Sequence, residues 1–369
     1  MKIIAFYLPQ FHSIPENDEW WGEGFTEWTN VKKAKPLFKG HEQPVIPLNH
    51  NYYNLLDINT IKWQSNLAKS YGIYGFCIYH YWFNGKLLLE KPLELLRDSK
   101  DIRINYCICW ANEHWTNSWN SNNEEIIVEQ NYGDIDDWKK HFDYLYSFFI
   151  DERYIKEDNK PLLIIYRPEL IENLNTMLDF WNSCAIEKGF SGIKFAYQHI
   201  GLDLKKDKDD SRFDYDIEYQ PMYALKEKQS FFYKNIKKIS LIVNQVLFKN
   251  KNVYIFSNSF KKVRKFDYDD IWQTILKMKV SKKSIPGAFV RWDNTPRKGK
   301  SGLISINVSP EKFYKYLKIQ LIRAKEVYNT DKLFLFAWNE WAEGGYLEPD
   351  DKNGYKYLEA VKKAINEIN

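Results

Sequence analysis

The chain has 369 residues, of which 44% are apolar and 17% aromatic, and its formal net charge is +4. A charge so close to neutral gives no indication of a nucleic-acid partner. The N-terminus enters an apolar run without a signal-peptide core, and no apolar run reaches the about 18 residues that a membrane span requires. We therefore expect a soluble cytoplasmic protein, long enough for one barrel of alternating strands and helices.

Eight short apolar runs alternate with helical patterns along the chain. Continuous apolar runs are typical of parallel strands buried on both faces, and helices between them are typical of parallel connections. This pattern predicts an α/β fold, a single (β/α)8 TIM barrel formed by one domain, residues 1–369. The runs are 3–8, 73–79, 104–110, 162–166, 193–197, 215–219, 288–292 and 333–338, and the helical patterns include 59–71, 136–149, 170–188, 269–279 and 310–328.

Two connections are too long to be plain loops. Residues 9–57 are rich in aromatic residues, so we expect them to pack over the C-terminal mouth of the barrel. Residues 222–265 hold eleven Lys and Arg against one acid, Glu227. This basic segment is interpreted either as an ordinary barrel helix with solvated lysines or as an amphipathic helix in peripheral contact with the inner membrane.

The four cysteines give no sign of a metal site or a disulfide framework. Cys77, Cys107 and Cys109 lie inside apolar runs, and Cys184 lies in a helical pattern. No further His or Cys stands at ligand spacing, so we expect free buried thiols and neither a metal nor another cofactor.

Polar or charged residues follow every predicted strand. Barrel enzymes place their active sites at this C-terminal face. The sequence therefore predicts one cleft lined by Tyr7, Gln10, His12, His80, Trp82, Trp110, Asn112, Glu113 and Arg167 together with Glu340 and Glu343.

The last apolar run ends in two acids, Glu340 and Glu343, which are flanked by Trp338 and Trp341. Two neighbouring acids suit glycoside chemistry, in which one activates a nucleophile and the other protonates a leaving oxygen. The alternative is a turn with two solvated glutamates, and the flanking Trp residues argue against it.

Several stretches together resemble the WbsX-type proteins of bacterial O-antigen and capsule loci. These proteins carry the label glycosyltransferase but are related in fold to glycoside hydrolase family 99. No single stretch would be specific, but together they span nearly the whole chain. The stretches are 6–12, 20–36, 72–85, 109–113, 159–162, 292–297 and 337–344.

The resemblance implies an endo-acting, α-mannosidase-like retaining hydrolase of a bacterial oligosaccharide or polysaccharide. It implies that Glu340 deprotonates the sugar 2-hydroxyl and that Glu343 is the general acid. We expect Glu113 to bind substrate, with direct catalysis as the alternative. Beyond the residues predicted to line the cleft, the expected substrate-binding residues are Trp28, Trp292, Asp293, Asn339 and Trp341.

Two other functions compete with hydrolysis. The first is glycosyl transfer in lipopolysaccharide O-antigen or capsule biosynthesis, as the family label states. Asp-x-Asp spacing, which can mark a nucleotide-sugar site, occurs at 207–209 and at 214–216, but it is common by chance and no Gly-rich phosphate loop accompanies it. The second is a non-catalytic glycan-binding barrel, against which the two intact glutamates argue.

Overall fold

A parallel sheet closed on itself forms the centre of the fold. The computed structural model describes residues 1–116, 126–201, 210–228 and 263–368. The order of the strands in the sheet is β7-β6-β5-β4-β3-β2-β1-β9-β8. The strands are β1 (Lys2–Tyr7), β2 (Ile73–Phe83), β3 (Asn105–Trp110), β4 (Lys160–Ile165), β5 (Lys194–His199), β6 (Tyr215–Glu218), β7 (Ser284–Ile285), β8 (Gly287–Phe289) and β9 (Lys332–Phe336).

The two edges of this sheet are halves of one broken strand. Only Pro286 separates β7, which pairs with β6, from β8, which pairs with β9. The sheet is therefore a (β/α)8 barrel, and all eight predicted strand positions are confirmed. The seventh was predicted at 288–292 but begins at Ser284. Proline has no N–H to donate to a neighbouring strand, so the predicted strand was placed only after Pro286. In the structure the carbonyl of Pro286 nevertheless accepts from Phe334 N at 3.0 Å.

Helices surround the barrel, and the five predicted ones are confirmed. The main difference is the start of the helix predicted from residue 170, because Pro168–Leu170 form a 3₁₀ turn before it. The helices with both ends in the described ranges are α1 (Pro15–Trp21), α2 (Glu27–Lys33), α3 (Ile58–Ser70), α4 (Lys91–Asp98), α5 (Ile135–Phe149), α6 (Leu174–Glu187), α7 (Tyr268–Lys277), α8 (Thr295–Lys298), α9 (Pro310–Glu326) and α10 (Lys356–Asn366).

Further short strands pair with the barrel strands or with one another. Lys86–Leu88 folds back on the end of β2, and Lys156–Glu157 pairs with β4. The other pairs are Trp115–Thr116 with Ile126–Val128, Arg264–Asp267 with Leu303–Ile306, and Asn339–Glu340 with Gly345–Tyr346.

Aromatic rings fill part of the barrel interior. The ring of Phe6 lies 5.8 Å from that of Tyr79, 5.5 Å from Tyr219 and 5.7 Å from Phe334, between centroids. Tyr219 also lies 5.3 Å from Phe336. Phe6, Tyr79 and the two Phe residues of β9 lie on neighbouring strands, and Tyr219, which follows β6, meets Phe6 and Phe336 across the barrel. Each such pair adds about 0.5–1.5 kcal/mol beyond the burial of its surface.

The long connection 9–57 packs against the segment that follows β9, as expected. Trp28 of α2 lies 5.5 Å from Trp341 between ring centroids, and Pro47 forms a β-bridge with Asp350. The connection therefore covers the end of the barrel at which β9 finishes.

The four cysteines are free and buried, as predicted. Within the described ranges, no helix has both the length and the apolar character needed to cross a bilayer. Most of the basic segment 222–265 lies outside the described residues, so both interpretations of it stay predictions.

Candidate active site

One cleft at the C-terminal face of the barrel contains both predicted catalytic glutamates. Its volume is about 290 Å³, and the residues around it lie in β2 or follow six other strands. It is lined by Leu8, Gln10, Tyr79, Tyr81, Phe83, Ala111, Glu113, His114, Trp115, Thr116, Tyr166, Tyr219, Arg297, Lys298, Glu340 and Glu343.

A tight turn after β9 presents the two glutamates to the same cleft. Asn339–Glu340 pairs with Gly345–Tyr346, and a 3₁₀ turn over Trp341–Glu343 joins them. Gly344 ends the turn with φ +65°, and a Cβ on it would lie 2.7 Å from Asp293 N. Only glycine fits this position without a shift of the neighbouring backbone.

Arg297 connects the two glutamates. Its Nη2 lies 3.1 Å from Glu340 Oε2, and its Nη1 lies 2.8 Å from Glu343 Oε1. Its Nε lies 3.1 Å from Oε2 of a third carboxylate, Glu27. One buried guanidinium therefore contacts three carboxylates, and charge-assisted bonds of this kind fix geometry well.

The environment of Glu340 favours its protonated form. Burial raises its pKa to about 8, with Arg297 opposing the rise and the charges of Glu343 and Glu27 adding to it. A carboxyl group with this pKa exchanges a proton near neutral pH, as a group in acid–base catalysis must do.

A second charged cluster lies at the same cleft. Glu113 lines the cleft with a side chain 39% exposed, and its carboxylate contacts Arg167, which also contacts Glu169. Burial, with the charge of Glu169, raises the pKa of Glu113 above its ordinary value against the pull of Arg167. Glu113 therefore presents its carboxyl group to the cleft, and Arg167 contacts it without lining the cleft itself.

The prediction that nine strand-end residues share the cleft is wrong for seven of them, because only Gln10 and Glu113 line it. In β2, His80 and Trp82 point outwards to α5, where His80 Nε2 lies 2.9 Å from His141 Nε2 and Trp82 Nε1 donates to Asp137 at 3.1 Å. Successive side chains of a strand point to opposite faces. The neighbours of His80 and Trp82 therefore face the cleft instead.

The same two-residue period turns Tyr7 and Trp110 away from the cleft. Tyr7 OH donates to Gln64 Oε1 of α3 at 2.7 Å. Trp110 Nε1 donates to the carbonyl of Trp82 at 3.2 Å, and its ring lies 5.8 Å from Trp181 of α6. Both side chains anchor helices on the outside of the barrel.

Two asparagines predicted to bind substrate hold neighbouring strand ends together instead. Asn112 donates to Arg167 O at 2.8 Å and accepts from Arg167 N at 2.7 Å. Asn339 makes the same pair of bonds with Leu8, at 2.9 and 2.8 Å. Because both side-chain amides are hydrogen-bonded to backbone, these two residues join neighbouring strand ends at the rim of the barrel.

Asp293 does not line the cleft, because it holds the long connection 9–57 in place. It accepts from His41 Nε2 at 2.9 Å, Gln43 Nε2 at 2.7 Å and Thr295 Oγ1 at 2.6 Å. Burial disfavours its charge, but these hydrogen bonds outweigh burial and hold the pKa of Asp293 below its ordinary value.

The remaining predicted residues are buried outside the cleft. His12 is 2% and Trp292 4% exposed. Trp28 Nε1 donates to Tyr53 O at 2.8 Å, and Trp341 stacks on Tyr346 with ring centroids 3.7 Å apart. Trp28, Trp292 and Trp341 therefore support the site by packing.

The sequence reasoning missed Arg297, Glu27 and most of the aromatic wall. Arg297 ends the stretch 292–297, and Glu27 lies within 20–36, both of which carry the family resemblance. The presence of a charged residue inside a stretch that carries the resemblance could have identified both as candidate site residues. The missed aromatic residues of the wall are Tyr79, Tyr81, Phe83, Trp115, Tyr166 and Tyr219.

A buried carboxylate behind the turn, Glu348, holds Trp341. It accepts from Trp341 Nε1 at 2.6 Å, Gln64 Nε2 at 2.7 Å and Tyr53 OH at 2.8 Å, and burial raises its pKa to about 7. Glu348→Ala would leave three buried donors unpaired, so we expect it to lower the free energy of unfolding by ~3 kcal/mol or more in urea titrations. Glu348→Gln, which keeps the shape, should cost clearly less; equal losses would contradict this view.

Among the described residues, no group of three or more His, Cys, Asp or Glu side chains is arranged to hold a metal ion.

Solved structures with the same fold include glycoside hydrolases. The GH99 endo-alpha-mannosidase from Bacteroides thetaiotaomicron superposes with a TM-score of 0.58 at 13% identity, covering 99% of this chain and 96% of that one. A glycoside hydrolase-like protein superposes with a TM-score of 0.58 at 11% identity, covering 98% and 93%. At these identities the likeness shows the shared barrel.

Two relatives found by sequence have a higher identity to this chain than these solved structures. Two proteins described as uncharacterized protein WxcX, from two strains of Xanthomonas campestris pv. campestris, are 32% identical over 368 residues, which is 98% of this chain and 49% of each relative. The chain thus spans about half the length of the curated relatives it matches. A family model described as Glycosyltransferase WbsX matches residues 3–361. From this match over nearly its whole length, the chain belongs to the WbsX glycosyltransferase family.

Proposed function

We propose that this protein is a glycoside hydrolase that cleaves inside a bacterial polysaccharide chain, with an α-mannosidase-like mechanism that retains anomeric configuration. Family membership supports a carbohydrate-active enzyme. The observation that carries hydrolysis is the pair Glu340 and Glu343, which Arg297 joins at the edge of one aromatic cleft.

The two glutamates have complementary roles in this proposal. Glu340 takes the proton of the sugar 2-hydroxyl, whose oxygen attacks the anomeric carbon while Glu343 gives its proton to the departing oxygen. Water then opens the resulting anhydrosugar: Glu343 accepts a proton from the water, and Glu340 returns its proton to the 2-oxygen. Neither carboxylate bonds to carbon, so both can stand on one short turn.

The walls of the cleft suit a carbohydrate. Tyr81 and Trp115 stack on each other with centroids 5.4 Å apart, and both line the cleft. Aromatic faces bind the C–H faces of sugar rings, and phenol groups bind their hydroxyls. Gln10 Nε2 is buried at the cleft without a protein partner in the described residues and can donate to a sugar hydroxyl.

Glycosyl transfer is the second candidate, which the description of the family favours. The Asp-x-Asp spacing at 207–209 lies outside the described residues. Asp214 and Asp216 lie at the N-terminal end of β6, opposite the cleft, where Lys194 Nζ donates to Asp214 at 3.0 Å and Ser281 Oγ to Asp216 at 2.9 Å. Their position gives transfer no support.

Incubation with O-antigen or mannan fragments, followed by mass spectrometry, tests the proposal. We expect shortened products without any nucleotide sugar, and the same products in the presence of a chelator. Products that lengthen only with a nucleotide sugar, or cleavage abolished by chelation and restored by a divalent ion, would favour the transferase.

The pH dependence tests which glutamate is the base. If Glu340 must be ionised, kcat/KM should rise with pH through about 8, because the folded protein holds this proton below that pH. A rate that instead falls as the pH rises through 8 would make Glu340 the proton donor and exchange the two roles. Initial rates between pH 5 and pH 10 on one substrate distinguish the two outcomes.

A further inference from the structure

The fully buried carboxylate of Glu27 has no place in the proposed chemistry. It does not line the cleft, and its residue is 0% exposed. Burial of an ionisable group is costly unless a partner compensates it. Its charged partner is Arg297, through the contact of 3.1 Å between Glu27 Oε2 and Arg297 Nε.

The backbone at Glu27 is fixed before its side chain makes this contact. Glu27 is the first residue of α2, and Thr26 caps the helix by accepting from Trp28 N at 3.2 Å, while Thr29 Oγ1 accepts from Thr26 N at 3.3 Å. Glu27 N also donates to Gln10 O at 3.1 Å. The carboxylate therefore reaches Arg297 from a rigid position.

The contact decides how the guanidinium is oriented. Its three nitrogens lie in one plane, and Glu27 occupies the Nε edge, so that Nη1 and Nη2 are directed to Glu343 and Glu340 respectively. Without an anchor at Nε, the guanidinium could turn and pair by two bonds with a single carboxylate.

The charges of the cluster do not balance. Three ionised carboxylates against one guanidinium leave a net charge of −2 in a buried site, and one retained proton reduces it to −1. The proposed reaction needs one proton on the pair Glu340 and Glu343, since one must act as base and the other as acid.

We propose that Glu27 is a positioning residue, which holds Arg297 between Glu340 and Glu343 and by its negative charge keeps one proton on that pair. This inference rests on the proposed function, but its first test does not require turnover. Burial raises the pKa of Glu27, which disfavours its charge, whereas the contact with Arg297 acts in the opposite direction and favours the charge. The charge of Glu27 in turn raises the pKa of Glu340.

Other charged or titratable groups of the described residues lie near Glu340, including Lys298, which lines the same cleft. Arg297 of α8 and Glu343 of its own turn act on it directly. Tyr79 and Tyr81 of β2 and Tyr219 after β6 also interact with Glu340, but burial raises the pKa of each, so they stay neutral in the relevant range.

Carboxyl titration tests the inference on the whole protein. The ionisation of Glu340 is followed by infrared or carbon-13 NMR difference spectra, assigned with Glu340→Gln. In Glu27→Gln the midpoint should fall by about one pH unit or more, a tenfold change in proton affinity. Glu23→Gln, an exposed glutamate nearby, should leave it unchanged. An unchanged or raised midpoint in Glu27→Gln would overturn the inference, whether or not any glycan is cleaved.

A second variant separates position from charge and covers the case in which Glu27→Gln does not fold. Glu27→Asp keeps the charge but shortens the reach, so a crystal structure should show Arg297 turned, with a contact to Glu340 or Glu343 lost. A guanidinium unmoved in that variant would refute the positioning role.

Discussion

Replacement of Glu343 by glutamine should slow the hydrolysis of natural glycosides by about 10²- to 10⁴-fold, because an amide cannot protonate the departing oxygen. An aryl glycoside with an acidic phenol as leaving group needs little proton donation, so its rate should be nearly preserved. Rates on both substrates, measured side by side for Glu343→Gln and for the exposed control Glu23→Gln, check this result.

The companion variant Glu340→Gln should slow both kinds of substrate, since the base for the 2-hydroxyl is lost. A 2-deoxy or 2-O-methyl sugar at the cleaved unit should then be inert even with the unaltered enzyme. Turnover of the 2-deoxy substrate through a trapped glycosyl-enzyme ester would instead identify a carboxylate nucleophile and contradict participation of the 2-hydroxyl.

Replacement of Arg297 by methionine should produce the largest loss of stability. The guanidinium is the shared partner of Glu27, Glu340 and Glu343, and removal of one partner from a buried ion pair costs about 3–5 kcal/mol. Urea unfolding at pH 8 should show this loss, while Lys300→Met, an exposed neighbour, should change little.

The loss in Arg297→Met should also depend on pH in a definite direction. The destabilisation comes from ionised carboxylates, so it should shrink as the pH falls and the carboxylates of the cluster take up protons. Without Arg297, the pKa of Glu340 should rise further, because the guanidinium lowers it in the native protein. If Arg297→Met lowered the free energy of unfolding by the same amount at pH 5 and pH 8, lost packing and not charge would be responsible.

The barrel was predictable because its signal is local. Strands such as Leu162–Ile165 are buried on both faces, so each appears in the sequence as an unbroken apolar run. The turn that carries Glu340 and Glu343 follows such a run directly. Each strand and the residues that follow it could therefore be predicted without knowledge of the rest of the fold.

The direction of polar side chains was not predictable in the same way. An unbroken apolar run has no alternation, so it does not say which of two neighbours, such as His80 and Tyr81, faces the cleft. Asn112 and Asn339 are polar at strand ends because they bind backbone, which resembles substrate binding in sequence. The pair Glu27 and Arg297 joins residues 270 positions apart, and no local pattern reports it.

The position of β9 between β1 and β8 has a consequence for biosynthesis. The bonds from Asn339 to Leu8 join residues 331 positions apart, and β9 is the last barrel strand to leave the ribosome. Such distant pairings form slowly. A chain whose β9 has not yet been synthesised therefore also lacks Glu340 and Glu343, the proposed catalytic acids, which directly follow that strand. For the proposed hydrolase, closure of the barrel and arrival of the acid pair at the cleft are therefore one step of folding.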